Sequence, residues 1–212
     1  MKNNIKKIVK HFVPQSLLNW RREKQMRWQY TEWQKNGSPV PTPHIVKQVV
    51  IANYQLKYGY STLIETGTYL GDMVEAQKNR FKKIISIEIG LDLYEKAKER
   101  FKKNKYVFIV HGDSSKKLSE ILKDINELVI FWLDGHYSAG ITEKGDKECP
   151  IFEELDAIFA NKRNNHILLI DDARLFTGRG DYPTIEELKV FIKSKNEKFN
   201  IDVKDDIIRC VI

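Results

Sequence analysis

The sequence has few cysteines and no long apolar run. Its two cysteines, Cys149 and Cys210, are too few for a disulfide framework or a structural zinc cluster and suit a reducing compartment. The longest uninterrupted apolar stretch, residues 128–133, is far shorter than the ~20 residues of a membrane-spanning helix. Lysines interrupt the N-terminal region where a secretory signal would have its apolar core. The sequence therefore predicts a cytoplasmic protein with no transmembrane segment.

Glycine and proline are also scarce, with 11 and 6 residues among 212. Hydrophobic residues make up 42% of the chain and aromatic residues 11%. This composition excludes a fibrous or wholly disordered protein. The length allows one sizeable core, so we expect a single globular domain with a small appendage.

Positive charge is concentrated at the N-terminus. Residues 1–35 contain nine Lys and Arg against two Glu, whereas the remaining residues contain 27 of each sign. This segment also holds three of the four tryptophans, Trp20, Trp28 and Trp33. Such a mixture is compatible with binding to nucleic acid or an anionic membrane, but the helical spacing of its apolar residues favours packing against the body or a lid. We therefore divide the chain into a basic, Trp-rich helical segment with a Pro-rich linker (1–43) and a main domain (44–212).

The main domain shows a regular alternation of strand and helix patterns. Four β-rich runs begin 22 residues apart, at Thr62, Ile84, Tyr106 and Leu128, with helical patterns between them. Such alternation predicts an α/β fold with a doubly wound, mostly parallel, Rossmann-like sheet and helices on both faces. A fifth strand is expected at 166–170, and the runs 199–204 and 207–212 predict a C-terminal antiparallel hairpin.

Each of the five predicted parallel strands is followed at once by a polar segment with a carboxylate. In an open parallel sheet, ligands bind at this edge. Gly67 and Gly71 follow the first strand and allow a tight turn at a helix N-terminus, where backbone amides hold a nucleotide cofactor. Glu88 ends the second strand, where an acid accepts ribose hydroxyls. Tyr69 stands where a dinucleotide fingerprint requires its second glycine, so NAD is disfavoured.

The pattern Glu65-x-Gly67-x-x-x-Gly71, followed by Glu88 and Gly112-Asp113-Ser114, resembles the class I, Rossmann-like methyltransferases that use S-adenosylmethionine (SAM). The resemblance covers residues 62–212 and implies SAM as cofactor. It implies that the methionine end is held by Glu65, Gly67, Thr68 and Gly71, the ribose by Glu88, and the adenine by Asp113 and Ser114. The alternative is that the two glycines form an ordinary turn and that Glu88 is a solvated strand end.

A second group of carboxylates comprises Asp134, Asp171 and Asp172, at neighbouring strand ends. Three acids there would repel one another unless a divalent cation such as Mg²⁺ lies between them. The arrangement resembles the metal-assisted O-methyltransferases that modify sugar hydroxyls in antibiotic pathways, which implies that all three are metal ligands. Alternatively, Asp171 or Asp172 caps a turn, and Asp134 contacts SAM or a backbone amide.

His136 follows Asp134 by two residues and titrates near neutral pH, so it is the candidate base for a substrate hydroxyl, with Asp134 as the other catalytic residue. A hydrogen-bonding role in its loop is an equal alternative for His136. Tyr137, Lys144 and Arg174 are candidate contacts for a hydroxyl-rich or anionic substrate.

Together these patterns predict a SAM-dependent O-methyltransferase for a small molecule, a sugar or sugar nucleotide, assisted by a divalent metal and a histidine base. One alternative is an RNA methyltransferase that uses the basic segment, which the neutral body and the lack of an RNA-binding module disfavour. The other is a non-catalytic interaction protein on the same fold. The sequence leaves open whether the protein forms a homo-oligomer.

Overall fold

The structure is a computed structural model that describes residues 15–135, 147–163 and 165–212. In these residues the helices are α1 (Gln15–Lys35), α2 (His44–Tyr58), α3 (Asp72–Gln77), α4 (Leu91–Phe101), α5 (Ser114–Ile121), α6 (Ile151–Phe159) and α7 (Ile185–Lys195). The strands are β1 (Thr62–Thr66), β2 (Lys83–Glu88), β3 (Val107–His111), β4 (Val129–Leu133), β5 (Ile167–Ile170), β6 (Asn200–Lys204) and β7 (Ile207–Val211).

All seven strands form one mixed sheet, in the order β3-β2-β1-β4-β5-β7-β6. The first five strands in this order run parallel, and β7 and β6 are antiparallel to their neighbours. Thr66 pairs with Ile87 on one side and Leu133 on the other, so the central strands end level with one another. The predicted fold class is confirmed: this is an α/β fold with a mostly parallel, Rossmann-like sheet and a C-terminal antiparallel hairpin.

Helices cover the sheet on both faces and create two apolar cores. One core packs α5, α6 and α7 onto the sheet through residues such as Leu118, Leu155 and Leu188. The other packs α2, α3 and α4 through residues such as Ile51, Val74 and Phe101. Every residue of β1 and β4 is buried, because strands covered on both faces expose neither set of side chains. This explains why β4 is a continuous apolar run. In β1 the same burial encloses Thr62, Glu65 and Thr66, whose polar groups are hydrogen-bonded inside the protein.

The predicted elements are close to the observed ones, and the helix ends have local causes. Asp113 caps α5 by accepting a hydrogen bond from the Ser115 backbone at 2.9 Å. Thr184 and Glu187 form a reciprocal capping box at the start of α7. Helix α3 ends at Gln77, because the chain turns over residues 78–80 before Phe81 buries its ring in the second core.

The N-terminal segment contributes one described helix, α1, and residues 1–14 lie outside the described residues. Trp33 is buried and its indole N–H donates to the Pro39 carbonyl at 2.9 Å, while Met26 is buried on the same face. Trp20 and Trp28 are 56% and 62% exposed. The packing interpretation therefore applies to Trp33, not to the other two rings. No helix among the described residues is both long and apolar enough to cross a membrane.

Candidate functional site

The candidate site lies at the carboxyl edge of the sheet, where β1 and β4 are neighbours and the chain winds away in opposite directions. Gly67 begins the loop after β1 with φ +82°, and a Cβ there would lie 2.4 Å from the Asp134 carbonyl oxygen. The Gly67 amide donates to the Ile87 carbonyl at 2.9 Å. The loop is therefore pressed against the end of β4, in a path that only glycine allows.

Glu88, at the end of β2, is held by the two loops around it. Its Oε2 accepts from the Tyr69 backbone at 2.7 Å and its Oε1 from the Gly90 backbone at 2.9 Å. Tyr69 has φ +49°, so it adopts the left-handed conformation that a glycine at this position would supply. Each carboxylate oxygen keeps a further lone pair, so the oriented group can still accept a ligand hydroxyl.

Behind the glycine loop lies a buried hydrogen-bond chain that includes two predicted cofactor residues. Ser86 donates to Glu65 at 2.5 Å, and the Thr68 hydroxyl lies 2.5 Å from the Ser86 hydroxyl. Burial raises the pKa of Glu65 to about 8, with the Ser86 hydrogen bond opposing and the charge of Glu88 adding to the rise. The side chains of Glu65 and Thr68 thus stabilise the loop through buried hydrogen bonds. Ser86, which links them, was not indicated by the sequence.

The two residues predicted beside the adenine also have internal partners. Asp113 caps α5, as described above. Ser114 donates to Glu154 on α6 at 2.6 Å, and both side chains are buried. A Cβ on Gly135 would lie 2.8 Å from Glu154 Oε1. Glu154, which no local sequence pattern indicated, therefore places a polar group beside Gly135, just after the end of β4.

The predicted acidic group does come together, and a lysine lies against it. Lys47, on α2, donates to Asp171 at 2.5 Å and to Asp172 at 3.0 Å. Burial alone would lower the pKa of Lys47, but the carboxylates of Asp171, Asp134 and Asp172 outweigh it and raise the pKa. Lys47 is therefore a charged counterion for the acids that follow β4 and β5.

Arg174, a predicted substrate contact, completes this ion network through one nitrogen of its guanidinium group. Its guanidinium donates to Asp172 at 2.6 Å and also to Asp206, and its backbone N–H donates to Asp206 at 2.8 Å. Asp206 lies in the turn between β6 and β7. The network therefore ties the end of β5 to the C-terminal hairpin.

The three carboxylates do not fit a divalent metal as they lie. In Asp171, Oδ2 accepts from Lys47 and Oδ1 from the Asp172 backbone at 2.8 Å. In Asp172, Oδ1 is shared between Lys47 and Arg174. Within residues 15–135, 147–163 and 165–212, no group of three or more His, Cys, Asp or Glu side chains could hold a metal ion. The repulsion that led us to expect a metal is thus relieved by two side-chain cations.

Asp134 is the third acid of this group, and the described hydrogen bonds of Lys47 and Arg174 go to other carboxylates. Its backbone N–H donates to Thr66, at 3.2 Å to the carbonyl and 3.1 Å to the hydroxyl. Burial raises the pKa of Asp134 well above its usual value, the charge of Asp171 adds to this rise, and Lys47 opposes it. A carboxyl group whose pKa is raised holds a proton more readily than an ordinary aspartate, which suits a role in proton transfer.

Three predicted site residues, His136, Tyr137 and Lys144, lie outside the described residues. Tyr182 was not predicted as a site residue. It lies near Asp172, Asp134 and Cys149, and burial raises the pKa of its hydroxyl. Lys47 did carry a signal: it stands at helical spacing from the buried Val50 and Ile51, so α2 turns it toward the protein. A lysine on the apolar face of a helix indicates a buried acidic partner.

No protein-family model matches the sequence, and no curated protein matches it. Solved structures do resemble the fold. An O-methyltransferase from Bacillus cereus in complex with S-adenosylhomocysteine (SAH) has a TM-score of 0.59 at 11% identity, over 89% of this chain and 90% of that one. A putative caffeoyl-CoA O-methyltransferase from Staphylococcus aureus gives 0.55 at 10% identity, over 92% and 97%.

The N-methyltransferase NodS from Bradyrhizobium japonicum, in complex with SAH, gives a TM-score of 0.53 at 14% identity, over 81% of this chain and 89% of that one. Similarity at these identities establishes the fold that the chain shares with these proteins. Because the same fold carries enzymes named for oxygen and for nitrogen acceptors, it does not decide the acceptor.

Proposed function

We propose that this protein is a SAM-dependent methyltransferase that acts on a hydroxyl group of a small molecule. The observation that carries the proposal is the position of the loop that begins at Gly67. It lies against the end of β4, and its Tyr69 backbone N–H donates to Glu88 at the end of β2. A glycine turn with no room for a side chain, beside an oriented acid, suits a ligand with a ribose. The SAH-bound proteins of the same fold support SAM as that ligand.

The surface beside Glu88 also suits a nucleoside. Tyr69 and Leu70 on one loop and Leu91 after the other are 46%, 47% and 51% exposed. Apolar side chains around a fixed polar group are typical of pockets for aromatic ligands. In this arrangement Glu88 binds the ribose, the apolar side chains cover the adenine, and the loop from Gly67 to Gly71 faces the methionine end.

We place the acceptor on the other side of the glycine loop, beside Asp134 at the end of β4. The hydroxyl oxygen attacks the methyl carbon of SAM in line with the departing sulfur. The new O–C bond forms as the S–C bond breaks, SAH leaves, and the hydroxyl proton passes to a base. Asp134 and His136 are the two proposed bases. The resemblance drawn from the sequence favours a sugar or sugar nucleotide as acceptor.

Isothermal titration calorimetry tests the cofactor assignment directly. We expect saturable binding of SAH and none of NAD. Glu88→Ala should weaken SAH binding by about 1.5–3 kcal/mol, the range for a lost hydrogen bond to a charged group. Glu95→Ala, which removes an exposed acid from α4, is the matched control and should leave SAH affinity unchanged. Binding of NAD alone would contradict the proposal.

Transfer of a labelled methyl group from SAM to a panel of sugars and sugar nucleotides tests the acceptor side. Asp134→Asn should bind SAH like the wild type and transfer the label about 10²–10⁴ times more slowly, since a positioned base contributes that much. Transfer to RNA but to none of the small molecules would favour the RNA alternative.

A further inference from the structure

The ion network at the end of β5 contains a cation that belongs to the protein. Lys47 is held by two carboxylates at 2.5 and 3.0 Å, and its side chain is only 12% exposed. The side chain of Asp171 is fully buried, and that of Asp172 is 13% exposed. Charges in such surroundings are retained only when they are paired and hydrogen-bonded.

We infer that Lys47 is the resident cation of the acceptor side and takes the position that a divalent metal would otherwise need. Its ammonium group lies between the carboxylates of Asp171 and Asp172, where, together with Arg174, it offsets their charge and fixes their orientation. Lys47 is a positioning residue, since it acts through the two aspartates. That this is the acceptor side rests on the proposed function, whereas the identity of the cation does not.

Helix α2 holds the lysine in place from outside the acidic segments. Val46 and Val50 are buried on either side of Lys47 in the chain, and the carbonyl of Gln48 accepts from Gln77 at 2.8 Å. A packed helix therefore holds the ammonium group of Lys47 in position. A metal ion would have to displace it and leave a buried, unpaired ammonium, which is costly.

Removing the lysine should accordingly create a metal site. In Lys47→Met the carboxylate of Asp171 loses its counterion and Asp172 keeps only Arg174, while both aspartates keep their places at the end of β5. Carboxylate oxygens are the ligands that hard divalent cations prefer. A buried carboxylate without a partner should then be neutralised by a bound cation or by protons.

The experiment is titration with Mn²⁺ alone, followed by electron paramagnetic resonance, on the full chain. We expect no saturable binding to the wild type, to Lys47→Arg or to the control Lys57→Ala, an exposed lysine on the same helix. Lys47→Met should bind Mn²⁺ saturably, with an affinity at least about a hundredfold above the weakest binding that the titration detects, because leaving a buried charge unpaired costs a free energy of that order. A second substitution, Asp171→Asn, should abolish this gain.

Saturable Mn²⁺ binding by the wild type that Asp171→Asn removes would overturn the inference, as would equal binding by the wild type and Lys47→Met. Should Lys47→Met fail to fold, Lys47→Gln keeps hydrogen-bond donors without the charge and replaces it. SAH titrations on the same samples separate the two proposals. If the wild type did not bind SAH, this would count against the methyltransferase but not against the role of Lys47.

Discussion

Glu65 shows how a single side chain couples this fold to pH. It lies in the middle of the sheet, 1% exposed, with the Ser86 hydroxyl as its described donor. Burial disfavours the ionised form and raises the pKa of Glu65 to about 8. The folded protein therefore keeps a proton that the unfolded chain releases near its ordinary pKa of about 4.5.

The sign of the pH dependence follows. The contribution of Glu65 to stability is fully present below about pH 4.5 and is lost as the pH rises to about 8. The loss amounts to at most about 1.4 kcal/mol per pH unit. Glu65→Gln stays neutral, so its free energy of unfolding should fall less steeply than that of the wild type between pH 6.5 and 8.

Guanidinium unfolding curves of both proteins across this range provide the measurement. His166, whose pKa burial lowers from about 6.5 to about 4, is present in both proteins, so its contribution cancels in the difference between them. Parallel stability profiles for the two proteins would show that Glu65 is ionised in the folded state.

At the scale of the element, the loop between β1 and α3 depends on close backbone contact. Gly67 and Gly59 both have positive φ, at +82° and +71°, but only at Gly67 would an added methyl group have other atoms within 4 Å. Gly59→Ala should cost about 1–2 kcal/mol for the left-handed conformation alone. Gly67→Ala should cost at least about 2 kcal/mol more, because the Asp134 carbonyl has to move.

Thermal and chemical unfolding of the two glycine variants, read beside SAH titration, checks this prediction. We expect Gly59→Ala to bind SAH normally and Gly67→Ala to bind it weakly. Equal losses of stability in both variants would mean that the loop yields to the added methyl group.

Two tryptophans of helix α1, the buried Trp33 and the exposed Trp28, test how this helix packs against the rest of the protein. Trp33→Ala removes a buried ring and its hydrogen bond to Pro39, and should lower the free energy of unfolding by on the order of 3 kcal/mol. Trp28→Ala removes an exposed ring and should change it by less than about 0.5 kcal/mol. Denaturant unfolding distinguishes them, and similar effects for both would contradict the observed orientation of α1.

At the scale of the whole molecule, the two apolar cores are built without the N-terminal helix. Both buried clusters are formed by residues from Val50 onward. We therefore expect residues 36–212 to unfold cooperatively and to bind SAH as the full chain does, at reduced stability. Calorimetry of the truncated protein measures both. Tight RNA binding by the full chain, with a steep salt dependence that truncation abolishes, would instead support the RNA alternative.

The sequence by itself determined the architecture and the edge of the sheet at which the candidate site residues lie. Strands β4 and β5 could be found because strands buried on both faces are short apolar runs. The regular spacing of the β-rich segments indicated the other parallel strands and the helices between them. The Gly67 loop, Glu88 and the three aspartates could be found for a related reason. Each follows its strand directly along the chain, and parallel strands deliver these positions to one edge of the sheet.

Only the tertiary structure decided which side chains pair at that edge. Lys47 binds Asp171 across 124 residues of sequence, and Ser114 binds Glu154 across 40. No local pattern contains such a pair, because it depends on how a helix packs on the sheet and which face it turns inward. The sequence therefore predicted that the acids need a positive partner, and the packing of α2 supplied a lysine in the place where a metal was expected.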